Sequence, residues 1–219
     1  MSQSDLSEAG RRGIDIVLAL VGGLLTLPIM LGVSLAILLY LGRPVFFVQT
    51  RAGRGCKPFK IVKFRSMPNS KGKDGQLLSD EERTTNFGFC LRRSRLDELP
   101  EFWNVLVGHM SLIGPRPLLP HTIEEMAAHG VLRCSVRPGL TGWAQISGGV
   151  KLTNDDKLDL DLWYIENRSF LLDLKIVCLT PFFLLFGDRH NERRLKAARQ
   201  QRLRVAEFDA ARLNTRKQT

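Results

Sequence analysis

The strongest pattern in the chain is one long apolar run. No charged residue occurs from Ile16 to Leu41, a span of 26 residues. A straight helix of that length measures ~39 Å against a hydrocarbon core of ~30 Å. A secretory signal has a shorter apolar region, ~7–15 residues, and a small-residue cleavage site; this run has neither property. Pro28 divides it. Proline removes a helical hydrogen bond and bends the helix, and each half, about 12 residues or ~18 Å, is too short to cross alone. Both flanks are basic, with Arg11 and Arg12 before and Arg43, Arg51, Arg54 and Lys57 after, whereas a spanning helix biases Lys and Arg to one side. The pattern predicts a helix–break–helix over residues 11–42, re-entrant, with its membrane break at Pro28. A tilted, kinked spanning helix is the alternative. In either case the larger basic flank places the C-terminal domain in the cytosol.

Beyond the run, "PVFFVQ" and "FKIVKF" alternate as short strands, and the glycines of "TRAGRGCK" permit a turn between them. Residues 68–86 are polar and predict an exposed loop. Phe102, Val105 and Leu106 recur at helical spacing after Pro100. "SLIGPRPLLP" and "VRPGLTGWAQISGGV" predict loops. Thr122 with Glu125 has capping-box spacing, with Gly130 as the matching stop. Thr153 with Asp156 opens a helix reaching Asn167. "IVCLTPFFLLF", Ile176–Phe186, is too short to span; it reads either as an interfacial helix or as a core helix ended by Gly187. From Arg189 on, the chain is a basic helical tail, read as a solvated helix or as a contact for anionic lipid. The fold class is mainly α with a small β-hairpin (α+β). It comprises the re-entrant membrane helix, interfacial amphipathic helices and a compact cytosolic catalytic domain over residues 43–187. The tail covers residues 188–219.

Composition narrows the chemistry. Lys+Arg is 32 against Asp+Glu 22, a net charge of +10, which suits an anionic partner: nucleic acid, anionic membrane or a phosphorylated substrate. Cys56, Cys90, Cys134 and Cys178 show no C-x-x-C spacing, and the histidines show no ligand spacing, so neither a zinc site nor a redox pair is indicated. A reducing compartment fits. A metal here would be a hard cation held by oxygen.

The candidate chemistry centres on "RRSRLDELPEFWN", with Asp97 beside Glu98. Its plain reading is a helix cap at Asp97 with Pro100 in the first turn. Its functional reading is a nucleophilic carboxylate that attacks phosphorus, with a second carboxylate holding Mg²⁺. Lys63 and Arg65 in "KFRSM", Arg116 in "GPRP" and Arg137 in "RPGLTGW" supply cations for phosphate. Trp143 reads as core. Asp159 and Asp161 read as a solvated helix face.

Taken together, "FKIVKFRSM", "LRRSRLDELPEFWNVLVGHMSLIGPRP", "VRPGLTGWAQISG" and "DLDLWYIENRSFLLDLKIV" resemble the bacterial sugar transferase family, the small monotopic polyprenyl-phosphate hexose-1-phosphate transferases. The resemblance runs from about Arg11 to Gly187. It implies that Asp97 attacks the sugar-bearing phosphate of a UDP-hexose and releases UMP. The phosphosugar then passes to undecaprenyl phosphate, which initiates exopolysaccharide, capsule or O-antigen-type assembly. It implies Glu98 as the Mg²⁺ ligand, Arg116 as the PRP arginine and Asp161 as a further active-site carboxylate. The implied partners are UDP-hexose, undecaprenyl phosphate and inner-membrane lipid, with no nucleic acid and a homodimer left open. The implied location is the bacterial inner membrane, catalytic domain on the cytoplasmic face. Two departures stand out: Leu27 precedes Pro28 where the family has serine, with Thr26 as a substitute, and Gly149 stands where many members have arginine. The resemblance is to the small, minimal members. The competing class is a membrane-attached basic scaffold that binds anionic lipid or nucleic acid without catalysis.

Overall fold

The computed structural model describes residues 3–72, 75–187 and 190–216. It is mainly helical, and the chain divides into two compact units: Met1–Arg51 with Pro58–Leu112, and Ala52–Lys57 with Ile113–Thr219.

The first unit is organised along helix α1, Gln3–Tyr40, which runs on through Pro28 rather than separating into two halves. Its 38 residues would measure ~57 Å if straight, and its stretch from Glu8 to Tyr40 is long and apolar enough to cross a membrane. Thr26 Oγ1 donates back to Gly22 O (2.7 Å) and Ser34 Oγ to Met30 O (2.7 Å), bonds that bend a helix without ending it. Leu24, Leu25, Leu31 and Leu39 are exposed, while Ala19 and Ile37 are buried against the rest of the unit. A helix that shows leucines to its surroundings in this number suits lipid rather than water.

Both ends of α1 are tied down. Arg12 donates to Val105 O (2.6 Å) and Leu106 O (2.7 Å), carbonyls in the last turn of helix α4, Glu101–Leu106. Asp15, buried, accepts from Ser111 Oγ (3.0 Å) and Leu112 N (2.9 Å). At the other end, Arg65 donates to the carbonyls of Leu41 (2.5 Å), Gly42 (2.5 Å) and Arg43 (3.1 Å).

The predicted hairpin is present, with β1 Phe46–Ala52 paired to β2 Pro58–Phe64. Phe59, Ile61 and Phe64 of β2 are buried. Phe59 and Ile61 pack with Ala19, Val105 and Met110; Phe64 packs with Ile37 and Leu91. Asn104, on α4, fastens that helix to β2: its side chain accepts from Val62 N (3.0 Å) and donates to Lys60 O (2.8 Å). The polar 68–86 stretch, of which 73 and 74 lie outside the described residues, contains a short helix α2, Asp80–Arg83, with a capping box between Ser79 and Glu82. Helix α3, Asn86–Arg93, follows, capped by Thr85.

The second unit begins within the short strand β3, Ser111–Ile113. The chain from there runs beside β4, Gly139–Thr141: Gly114 N donates to Thr141 O (2.9 Å) and Gly139 N to Pro115 O (2.9 Å). Segments predicted as loops therefore carry short strands, because their glycines let two backbones touch. A Cβ on Gly114 would fall 2.4 Å from Arg137 O, and one on Gly142 would fall 2.2 Å from Gly114 O.

Helix α5, Pro120–Glu125, starts at its proline with Leu119 as the cap, so Thr122 lies inside it rather than capping it. Gly130 does not stop a helix; it lies inside α6, Ala127–Arg133, where a Cβ would meet Ile123 O at 2.1 Å. Helix α7, Asn154–Glu166, opens at Thr153 as the sequence predicts. Helix α8, Phe170–Phe186, ends at Gly187 with φ +77°. The core reading of α8 holds for one of its faces. Ile176, with Leu172, Leu179 and Phe183, faces the core around Trp143, Ile146, Leu160 and Tyr164, while Phe170, Leu171, Phe182 and Phe186 are exposed.

The tail differs from a solvated helix. Helix α9, Glu192–Arg216, buries Leu195 and Ala198 in that same core. Residues 188, 189 and 217–219 of the tail lie outside the described residues.

Candidate active site

In the first unit, Asp97 and Glu98 do not cap α4. They lie in a 3-10 turn, Leu96–Glu98, and Pro100 begins α4 with no side-chain cap. Arg95 enters that turn at φ +58°, a left-handed conformation that is costly for a side chain as bulky as arginine. Both carboxylates are buried, Asp97 8% and Glu98 7% exposed, which a solvated pair of like charges would not be. Lys63 reaches from β2 to Glu98 Oε1 (3.0 Å) and to Glu101 Oε1 (2.9 Å), and Arg95 lies 3.6 Å from Glu98 Oε2. The turn is thus a buried acidic centre held by cations. Glu101 and Arg95 were not singled out from the sequence, although both stand within the motif.

Two cations expected to bind phosphate have other partners. Lys63 neutralises Glu98 and Glu101. Arg65 is 6% exposed and closes the C-terminal end of α1 through three carbonyls. Its role is to hold the chain where the membrane helix meets the hairpin.

In the second unit, Arg116 and Arg137 are half-buried on the two glycine-bearing loops that touch at Gly114 and Gly139. Asp161 does not lie on a solvated face. It is 2% exposed and bonded through Oδ2 to Arg133 Nε (2.8 Å) and Nη2 (2.8 Å), while Arg133 Nη2 also donates to Arg116 O (2.5 Å). Burial pushes the Asp161 carboxyl up, against the pull of the Arg133 guanidinium. The chain Asp161–Arg133–Arg116 fixes the backbone of the "GPRP" loop. Arg133 carried no signal in the sequence beyond being one more basic residue.

Asp159 is likewise buried and paired with Arg202 (2.6 Å), and Asp156 with Arg199 (2.5 Å). Burial raises the Asp159 carboxyl. Trp143 is core, stacked on Trp163 at 5.2 Å. Gly149, itself buried, takes φ +54° at the start of an otherwise exposed 3-10 turn.

The family model for bacterial sugar transferases matches residues 6–187. The chain belongs to the bacterial sugar transferase family. It is 46% identical over 150 residues to EpsL of Bacillus subtilis, described as an uncharacterized sugar transferase, covering 68% of this chain and 74% of that one. It is 41% identical to the UDP-N-acetylgalactosamine-undecaprenyl-phosphate N-acetylgalactosaminephosphotransferase of Aeromonas hydrophila, over 81% of this chain and 44% of that one. With the UDP-glucose:undecaprenyl-phosphate glucose-1-phosphate transferase of Escherichia coli K12 the identity is 42%, over 78% of this chain and 39% of that one. The chain therefore spans less than half the length of these two relatives whose reactions are named. This sugar transferase is a protein of the bacterial inner membrane, with its catalytic domain on the cytoplasmic face; among the described residues one helix, near the N-terminus, is long and apolar enough to cross a membrane.

Proposed function

We propose that the protein transfers a hexose-1-phosphate from a UDP-sugar to undecaprenyl phosphate and releases UMP, initiating an exopolysaccharide, capsule or O-antigen-type glycan. The observation that carries this reading is the buried Asp97–Glu98 turn. Burying two adjacent carboxylates costs several kcal/mol unless cations or hydrogen bonds compensate, and Lys63 and Arg95 are placed to do so at Glu98.

Asp97 carboxylate oxygen attacks the sugar-bearing phosphorus. The bond from that phosphorus to the bridging oxygen breaks, and UMP departs with the electron pair. An oxygen of undecaprenyl phosphate then attacks the aspartyl-bound phosphorus, and Asp97 is returned as carboxylate. Lys63 holds Glu98 and Glu101 in place, and Asp161 acts through Arg133 on the Arg116 loop. We assign Arg116 and Arg137 to the anionic groups of the donor.

Among the described residues no cluster of three or more His, Cys, Asp or Glu is arranged to hold a metal by itself. Mg²⁺ commonly takes one or two carboxylates and completes its shell with phosphate oxygens and water, and the hard oxygens of Glu98 suit that mode. Bound there it would neutralise charge on the diphosphate. Lys63, on Glu98 Oε1, would then share that carboxylate. The sugar differs between the two relatives whose reactions are named; UDP-glucose and UDP-galactose are the first donors to test.

We further propose that α1 is re-entrant. Arg12 and Asp15 near its N-terminal end, and Leu41–Arg43 just beyond its C-terminal end, all bond to residues 65–112 of one unit. A helix that crossed the hydrocarbon core would carry one of these two anchored regions to the far face, whereas a bend at Pro28, beside the back-bonded Thr26, would return both to the same face. Part of the tail charge that motivates the scaffold reading is already paired, Arg199 with Asp156 and Arg202 with Asp159.

The test is UMP release by protein in nanodiscs with Mg²⁺, UDP-hexose and undecaprenyl phosphate. Asp97→Asn is expected to abolish turnover; full turnover in that variant would overturn the assignment. Labelling a cysteine placed near Met1 from each side of the membrane tests α1, and periplasmic access would exclude the re-entrant form.

A further inference from the structure

The family match ends at Gly187, yet α9 beyond it is built into the second unit. Leu195 and Ala198 are buried with Trp143, Ile146 and Leu160, and Arg199 and Arg202 pair with Asp156 and Asp159 along α7. At the start of α9, Asn191 N donates to Ser147 O (2.9 Å). Arg194 Nη1 donates to Ile146 O (2.8 Å) and to Ser147 Oγ (3.4 Å), and the guanidinium lies over the Trp143 ring at 4.3 Å. One side chain therefore holds the Gln145–Ser147 turn by a backbone carbonyl, a hydroxyl and an aromatic face. A lysine could supply the charge but not the planar stacking.

Gln145 heads that turn. Its Oε1 lies 2.8 Å from where a Cβ on Gly142 would stand, and Gly142 in turn lies against Gly114 O. The amide thus sits beside the junction of the Arg116 and Arg137 loops. Both its oxygen and its nitrogen are buried without a hydrogen-bond partner among the described residues. An unsatisfied buried amide costs ~1–3 kcal/mol, and native structures rarely retain one without a use.

We infer that Arg194 is a positioning residue for donor binding: it holds the Gln145–Ser147 turn so that the Gln145 amide bonds the nucleotide-sugar. This rests on the UDP-sugar donor proposed for the enzyme. The amide offers one acceptor and two donors, a match for the mixed donor and acceptor edge of a nucleobase or for sugar hydroxyls. Neither Arg194 nor Gln145 belongs to the Asp97 turn, so their effect falls on binding rather than on the chemical step.

The experiment measures UMP affinity by calorimetry, and KM and kcat for UDP-glucose and UDP-galactose, on full-length protein in nanodiscs. Arg194→Ala and Gln145→Leu are each expected to weaken UMP binding and raise KM about tenfold with kcat within about twofold, the pattern of lost uniform binding. The double variant should be little worse than either single one, since both act through one turn. Arg194→Lys should recover part of the affinity. Arg199→Ala, on the same helix but away from the turn, should leave UMP affinity unchanged. The inference is overturned if Arg194→Ala lowers kcat and melting temperature at unchanged KM and UMP affinity, the mark of a purely structural strap. It is equally overturned if Gln145→Leu binds UMP like the wild type, as when water satisfies the amide. Wild-type protein that binds neither UMP nor UDP-sugars would instead refute the donor reading itself, and this inference with it.

Discussion

Replacing Asp161 by asparagine keeps the side chain's shape and removes its charge. In the wild type, Asp161 Oδ2 takes two hydrogen-bond donors of Arg133, each at 2.8 Å, with both residues under 10% exposed. Breaking a buried ion pair by removing one partner costs ~3–5 kcal/mol. Asparagine still offers a neutral oxygen, so the expected loss is at the low end, about 3 kcal/mol. At ~2–4 °C per kcal/mol for a chain of this size, the melting temperature should fall by about 6–12 °C. Tryptophan fluorescence in nanodiscs is a suitable assay, because Trp143 and Trp163 stack at the core that α7 helps to build. Arg133→Met should cost a similar amount, and the double variant Asp161→Asn, Arg133→Met less than the two combined, since no unpaired charge remains buried. Turnover should fall in both single variants, because Arg133 also holds Arg116 O. The reasoning would be refuted if Asp161→Asn unfolded within about a degree of the wild type while losing turnover. Asp161 would then act on the substrate directly and not through Arg133.

Lys63→Met should lower stability by about 2–3 kcal/mol, since it leaves Glu98 and Glu101 facing each other with side chains only 9% and 4% exposed; a rise in KM with unchanged unfolding would return Lys63 to the role of a phosphate ligand. Gly114→Ala puts a Cβ 2.4 Å from Arg137 O, where only backbone could move, and should cost about 3 kcal/mol or more; a stable Gly114→Ala protein with normal UMP release would contradict the loop contact. Burial works against ionising Asp156, but hydrogen bonds from Arg199 and Thr153 outweigh it and hold its carboxyl below the ordinary value. Such a group stabilises fully above its unfolded value, near ~4, and loses that contribution as pH falls through the lower folded value. The difference in melting temperature between the wild type and Asp156→Asn should therefore close below about pH 4, and a difference that persisted there would show the pair does not contribute through charge.

Sequence alone determined what depends on local pattern. The apolar run, the hairpin, the helices opened at Thr153 and after Pro100, and the adjacent carboxylates at Asp97 and Glu98 all follow from hydrophobic period, turn residues and neighbouring charges. What sequence could not assign was the partner of each charge. Lys63, Arg65, Arg133, Arg194 and Asp161 look alike as surface charges in one dimension, and their roles depend on contacts that skip from 17 to 48 residues along the chain. Only tertiary structure brings Lys63 to Glu98, takes Arg65 to the end of α1, and buries Asp161 on Arg133. The same holds for Gly114, Gly130 and Gly142, which read as turn or stop signals but serve to let backbones touch. It holds also for α9, whose composition reads as a solvated helix until Leu195 and Ala198 meet the core. Local propensity fixes where an element begins; which face it buries, and which ion it neutralises there, is fixed by the elements it packs against.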